Sequence, residues 1–277
     1  MSDQVDRADI AAGLARLGLD RGSSVVVHAS LSSFGHVDGG AAGVVAALSQ
    51  TCGTVAMMAG AGDLTGLPAP PGLVRPHNAY RNAASWDDFD RQVAAAAPYR
   101  PDLPVSRWLG RIAEELVRTP GAVRGPHPLY SFVAVGEHAE DVIAAERLDR
   151  QLGAIERLAE LDGDVLLLGV DHSSDTTMHL AEQRFGRGHF FRYARDASGL
   201  WIELPGVSGE SHRFDEIEPL LRPATRETRI GSCRARRIRI ADVLEITERL
   251  LRSDPGALLC SDPVCRCVAA LEQWRAR

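Results

Sequence analysis

Residues 23–59 constrain the fold more than any other part of the chain. SSVVVHAS reads as a short buried strand ending near His28, the Ser/Gly-rich turn SLSSFGHVDGG leads into the Ala-rich helix AAGVVAALSQ, and TVAMMAG reads as a second strand. Short apolar runs bounded by turn residues suit strands buried on both faces. Strand, helix and strand in this order imply a parallel pair joined by a right-handed crossover.

The remaining segments extend that unit. Residues 6–19 carry Ile10, Leu14 and Leu17 at helical spacing and end at Gly18. PVSRWLGRIAEELVRT predicts an amphipathic helix, SFVAVG a third strand and EHAEDVIAAERL a helix. DGDVLLLGV, closed by Gly169, is the clearest buried strand, and it runs through a loop into the helix of DHSSDTTMHLAEQRFG. FFRYARD and LWIELPG predict a hairpin; residues 212–222 predict a short helix, RARRIRIADVLEITERLLR a strand and helix, and CVAALEQW a last helix. Residues 60–103 are rich in Pro, Gly, Asn and Asp, and so long an irregular stretch usually serves function or moves. The expected fold class is α/β: a single domain over 1–277 with a mixed, mainly parallel central sheet flanked by helices, with insertions. It includes a Cys-containing C-terminal segment, 231–277.

Composition narrows the function classes. At 45% hydrophobic and 25% charged residues the chain is ordinary for a globular protein. No apolar run reaches the roughly 18 residues of a membrane span, and the N-terminus lacks the basic and apolar regions of a secretory signal. A cytoplasmic location without membrane contact is the expectation. The net charge is −6, with no lysine, all 31 basic residues being arginine. That balance weighs against a nucleic-acid partner and suits a cationic small molecule.

Asp175, His179 and Glu182 stand at i, i+4 and i+7, which projects them from nearly the same helix face. The segment emerges beyond the carboxyl end of the best strand, where open α/β sheets bind ligands. A carboxylate one turn away can fix the tautomer of His179 and stabilise its imidazolium, and either Asp175 or Glu182 can fill that place. The plainer alternative is a helix N-capped by Asp175, its histidine packed on the sheet. A metal set of His172, Asp175 and His179 is a third, though HExxH is absent. The turn VHASLSSFGHVDGG puts small residues and backbone N–H groups before a helix N-terminus, where a phosphate can dock. An ordinary strand–helix turn uses the same residues, and neither GxGxxG nor GxxxxGK[ST] is present.

Together, VHASLSSFGHVDGG, RTPGAVRGPHPLYSFVAVG and LDGDVLLLGVDHSSDTTMHLAE resemble the aminoglycoside 3-N-acetyltransferase family, in that family's order and over essentially the whole chain. The last segment resembles its TxxHxAE signature without a gap. The resemblance implies direct transfer of acetyl from acetyl-CoA to an amine, with His179 as general base and Glu182 or Asp175 assisting. It implies that His28, Ser30, Leu31, Ser32 and Ser33 lie on the cofactor pantetheine and pyrophosphate, with Arg124 and His127, in a basic-HP motif, nearby. It places Asp63 toward a polycationic antibiotic, with Thr177 at the helix start and Glu210 also on the substrate side. The chain departs from the family pattern at LDRQLGAIERLAEL, which lacks a His and a Ser-Pro pair, and at PGVSGES, where Glu210 is the nearest carboxylate. Both departures fall in the acceptor half. A monomer or homodimer is expected, acting on a cationic amine; a different amine acceptor, or a binding protein without turnover, are the alternatives.

Four of the five cysteines fall late in the chain. Cys233, Cys260, Cys265 and Cys267 supply four thiolates in principle, a possible structural zinc set with untidy spacing. Four reduced thiols are the alternative. RARRIRI beside these cysteines also raises a zinc-stabilised nucleic-acid module, against which the acidic charge and the lack of interleaved aromatics weigh.

Overall fold

The computed structural model describes residues 4–73, 82–187, 190–207, 209–263 and 265–276. Its strands, in chain order, are β1 Ser24–Ala29, β2 Thr54–Met58, β3 Gly66–Leu67, β4 Val123–Arg124, β5 Phe132–Gly136, β6 Asp164–Leu168, β7 Phe191–Arg195, β8 Trp201–Pro205, β9 Arg226–Ile230 and β10 Cys233–Arg239. Seven form one sheet in the order β4-β5-β2-β1-β6-β10-β9. The pair β1–β2 is parallel, as the 23–59 segment requires, and β6 adds parallel to the other side of β1. β5 and β10 run antiparallel to these, while β4 and β9 turn back again, so five of the seven strands point one way.

Side-chain alternation on the central strands builds two cores. On β6, Leu166 and Leu168 face one core while Val165 and Leu167 face the other; on β1, Val25 and Val27 oppose Val26. Both faces are therefore apolar, which explains the unbroken VLLL and VVV runs. Helices Arg7–Arg16, Gly40–Thr51 and Gly110–Arg118 cover the first face, contributing Leu14, Leu48 and Leu116. Helices Ala139–Ala144, Gly153–Glu160, Thr177–Phe185 and Ile240–Ser253 cover the second, with Val142, Leu158, Met178 and Val243. At this apolar density each fully buried Leu or Val contributes about 1.5–3 kcal/mol.

Several local expectations shift. The helix predicted from Pro104 starts as a 3-10 turn, Arg107–Leu109, and becomes α only at Gly110. The helix predicted over 137–148 is confined to Ala139–Ala144. The predicted hairpin is β7–β8, and it is joined by β3 from the irregular 60–103 segment into a separate three-stranded sheet. Within that segment, helix Trp86–Ala95 is capped by Ser85, whose side chain accepts from the Asp88 N–H; residues 74–81 lie outside the described part. Among the described residues no helix is long and apolar enough to cross a membrane.

Candidate active site

The carboxyl ends of the three central parallel strands open into a cavity of about 1340 Å³. β1 supplies His28 and Ala29, β2 supplies Met57 and Met58, and the segment after β6 supplies Val170 and Ser173–Thr176. Gly169 ends β6 at φ +69, and a Cβ there would lie 1.8 Å from Ser33 Oγ. Only glycine lets the chain leave the strand this close to the 30–33 turn.

His179 lies in the first turn of helix Thr177–Phe185, lines the cavity and is 9% exposed. Its Nδ1 is 2.7 Å from Glu182 Oε2, one turn along the same helix. Glu182 is fully buried, and its Oε1 accepts from Arg187 Nη1 at 2.5 Å. Arg187 in turn donates through Nη2 to the carbonyls of Pro255 (2.8 Å) and Ala257 (2.6 Å). A carboxylate partner calls for the N–H at Nδ1, which leaves the Nε2 lone pair as the acceptor. Of the two carboxylates left open by spacing, Glu182 is the one that touches His179.

Asp175 occupies a different place from the one the i, i+4, i+7 pattern gave it. It precedes the helix in extended conformation, so the pattern does not apply, and its Oδ1 accepts from the Thr177 N–H at 3.0 Å. Its other oxygen is 3.7 Å from His172 Nδ1, and His172 Nε2 is 3.3 Å from Glu218. Arg234 and Arg236 pair with that Glu218. Burial pushes the Asp175 carboxyl up, but the neighbouring imidazoles of His172 and His28 outweigh it and hold the acid below its ordinary range. Burial lowers His28 from its usual value, partly offset by the charge of Asp175. His172, Asp175 and His179 do not form a metal-ligand cluster among the described residues.

Ser30, Leu31 and Ser32 line the cavity as expected, the two hydroxyls 3.1 Å apart. Ser33 turns inward instead, donating to the Ser30 carbonyl at 2.7 Å beneath Gly169. Gly35, Gly39 and Gly40, all at positive φ, carry the chain to the N-terminus of the twelve-residue helix Gly40–Thr51, whose first residue lines the cavity. That end suits an anionic group.

The turn between β1 and its helix and the strand-end histidine helix both fall inside the span 26–252, which matches the family model described as aminoglycoside 3-N-acetyltransferase. The chain belongs to the aminoglycoside 3-N-acetyltransferase family. It is thus an acyltransferase by family. It is 29% identical over 261 residues to the SPbeta prophage-derived aminoglycoside N(3')-acetyltransferase-like protein YokD of Bacillus subtilis (strain 168), covering 88% of this chain and 91% of that one. Its structure is similar to a mutant of aminoglycoside acetyltransferase AAC(3)-IVa in complex with a gentamicin, with TM-score 0.77, 25% identity and 98% of each chain covered. It is likewise similar to AAC-IIIb in its binary complex with CoASH, with TM-score 0.74, 25% identity, 91% of this chain and 97% of that chain covered.

Two residues of the acetyltransferase motif region need correction. Arg124 does not line the cavity; its guanidinium donates to the carbonyls of Pro101 (2.9 Å), Leu103 (2.5 Å) and Ala59, tying the 101–103 loop to the end of β2. His127 is completely buried, and its Nδ1 accepts from the Leu129 and Tyr130 N–H groups at 3.3 and 3.1 Å. Burial drives its imidazole down to about 3. It shapes the turn that presents Tyr130 to the cavity, a supporting part and not a contact. The resemblance places both near the cofactor through a motif, and a motif does not tell a buried base from a cavity-lining one.

The acceptor half is less acidic than the family pattern suggests. Asp63 borders an adjoining cavity of about 280 Å³, and its Oδ2 accepts from the Arg107 N–H at 2.8 Å. Thr177 is fully buried and absent from the cavity lining, where Thr176 appears instead. Glu210 does line the main cavity, paired with Arg266, whose Nε donates to Oε1 at 2.8 Å. Arg266, Arg192 and Trp108 also line the cavity; they lie far apart in sequence, and neither the helix pattern around Trp108 nor the strand pattern around Arg192 says which side chains meet at a cavity. The cysteine set is also corrected. Cys233 is buried in the core of β10 beneath Gly169, its place beside the other three taken by His212.

Proposed function

We propose that the chain, acting as one catalytic domain, transfers acetyl directly from acetyl-CoA to the 3-amino group of an aminoglycoside. The observation that carries this reading is the His179–Glu182–Arg187 relay at the cavity wall. An amine is protonated at pH 7 and cannot attack a thioester until that proton leaves. His179 Nε2 takes that proton and releases it to solvent. As the neutral nitrogen attacks, the N–C bond forms and the C–S bond breaks, and His179 passes the second nitrogen proton to the departing CoA thiolate, leaving a neutral amide, a free thiol and one proton in solvent. Glu182, oriented by Arg187, stabilises the imidazolium.

The Ser30–Ser32 turn and the N-terminus of helix Gly40–Thr51 are suited to the pantetheine and pyrophosphate of CoA. Glu210 and, in the adjoining cavity, Asp63 are the carboxylates offered to the amine. A structural metal in the cysteine-rich tail belongs to the proposed holoprotein. A second reading, acetyl transfer to an amine with fewer positive charges, is favoured by the pairing of Glu210 with Arg266 and by Arg111 and Arg192 in the same lining.

Acetyl-CoA-dependent thiol release against a panel of aminoglycosides and simpler polyamines tests both. Turnover with an aminoglycoside, the product carrying acetyl at the 3-amino group, supports the first; turnover with other amines alone supports the second. No thiol release with any amine defeats the enzymatic assignment. His179→Ala should lower turnover by about 10²–10⁴-fold while acetyl-CoA still binds.

A further inference from the structure

Three cysteines of the tail and one histidine from a distant loop converge on a point beside the acceptor side of the cavity. The ligand atoms of His212, Cys260, Cys265 and Cys267 all lie within 4.8 Å of one another. The edge of a zinc tetrahedron with sulfur ligands is about 3.8 Å, from a Zn–S distance of ~2.3 Å. The four donors thus need close by only a small amount to surround an ion. We propose that His212, Cys260, Cys265 and Cys267 bind a zinc ion that clamps the acceptor rim of the cavity.

The donor chemistry selects the metal. Three thiolates and an imidazole are soft and borderline ligands suited to zinc, while oxygen donors preferred by magnesium or calcium are absent from the set. Four protein donors close the tetrahedron and leave no open position, so the ion is structural. On binding, the three thiols release their protons to solvent, giving a site of net charge −1. Arg266 stands between Cys265 and Cys267 in sequence, and Arg213 follows His212, so the cationic side chains nearest in the chain oppose that charge.

The surrounding structure accounts for what the ion would do. The cysteines lie around a small apolar cluster of Phe190, Leu259, Cys267 and Ala270, far smaller than the two main cores. Such a cluster holds an irregular tail weakly, and metal ligation supplies the missing constraint. Gly209, at φ +59, turns the chain beside Leu259 and Cys267, where a Cβ would crowd Leu259 at 3.0 Å. Leu258, two residues before Cys260, is held at φ +65, a conformation that needs its surroundings to fix it. Gly209, Glu210 and Ser211 line the cavity immediately before His212, and Arg266 lines it between two ligands. The ion therefore joins the two irregular segments that border the amine side; only this last statement rests on the proposed acetyl transfer.

Metal content of protein purified without chelator tests the site independently of activity. About one zinc per chain is expected. Cys233→Ser should keep it, whereas Cys260→Ser and His212→Ala should lose it. His212→Cys should retain it, which separates loss of a donor from loss of the fold. Cobalt exchange should give thiolate-to-cobalt charge-transfer bands and the d–d bands of tetrahedral coordination. A folded wild-type protein without metal, a disulfide between two of the tail cysteines in the isolated protein, or zinc lost in Cys233→Ser but kept in Cys260→Ser would each overturn the proposal. Zinc at one per chain in a protein inactive toward every amine would uphold the site and count only against the acetyl-transfer reading.

Discussion

At the scale of single residues, the two carboxylates nearest His179 in sequence, one before its helix and one within it, have different environments. Glu182 touches His179 Nδ1 and is buried against Arg187, whereas Asp175 faces His172 and His28. Replacing Glu182 with Gln removes the negative charge that stabilises the imidazolium and lets the amide present the wrong group to Nδ1. We expect kcat to fall by up to about 10⁴-fold, the scale seen when the carboxylate behind a catalytic histidine becomes an amide. Asp175→Asn should cost much less, and equal losses in steady-state kinetics would contradict the relay. Arg187 carries a separate stability prediction. Removing one partner of a fully buried ion pair strands the other charge, so Arg187→Ala should lower unfolding free energy by about 3–5 kcal/mol in urea titrations. Glu182→Gln combined with Arg187→Met should recover part of that stability without recovering activity. That His179 stands at a strand end beside a carboxylate was legible from the DTTMHLAE segment, but which carboxylate was not. The i, i+4, i+7 spacing treats all three residues as helical, and the helix begins only after Asp175.

At the scale of elements, the apolar runs announced β1 and β6 because both strands are buried on both faces, and no alternation interrupts them. β3, two residues long, left no such signal, and it became a strand only because β7 was there to pair with it. The turn between β4 and β5 gives a pH prediction. His127 must stay neutral there, since its Nδ1 accepts two N–H groups and burial holds it at about 3, below the ordinary 6.5. A histidine whose folded pKa is depressed contributes stability above its unfolded pKa, lost as pH falls below about 6.5 toward 3. Glu146, whose side chain accepts from that turn, has the opposite sign. Burial raises it to about 8 against the N–H groups of His127 and Phe132, so its effect on stability falls as pH rises from 4.5 through 8. The difference between wild type and His127→Asn isolates the histidine, because an amide oxygen replaces Nδ1 as acceptor without titrating. The stability advantage of wild type over that variant should shrink by about 2 kcal/mol from pH 7 to pH 5. A constant difference across that range would mean that His127 is free to protonate in the folded protein.

At the scale of the whole molecule, the cavity joins two regions of different legibility. The cofactor side is built from the β1 turn and a helix N-terminus, local in sequence and readable there. The proposed acceptor side is assembled from Trp108, Arg192, Glu210 and Arg266, which lie far apart in sequence on a 3-10 turn, on β7, in a loop and at the start of the last helix, so no local pattern could announce their convergence. His212 replaced Cys233 in the cysteine cluster for the same reason: spacing is one-dimensional, and the four donors meet only after the tail folds back on the 209–212 loop. This division predicts that the two substrates can be weakened separately. Ser32→Glu places a negative charge where the CoA phosphates are proposed to approach and should raise the KM for acetyl-CoA about tenfold, or ~1.4 kcal/mol, while the amine KM is unchanged. Glu210→Gln removes the carboxylate on the opposite rim and should raise the KM for a polycationic acceptor without altering that for acetyl-CoA. A simpler monoamine, with fewer charges to meet Glu210, should be less sensitive to the second change. If instead both variants weakened both substrates alike, the cavity would be acting as one undivided site, and the separation into a cofactor side and an acceptor side would fall.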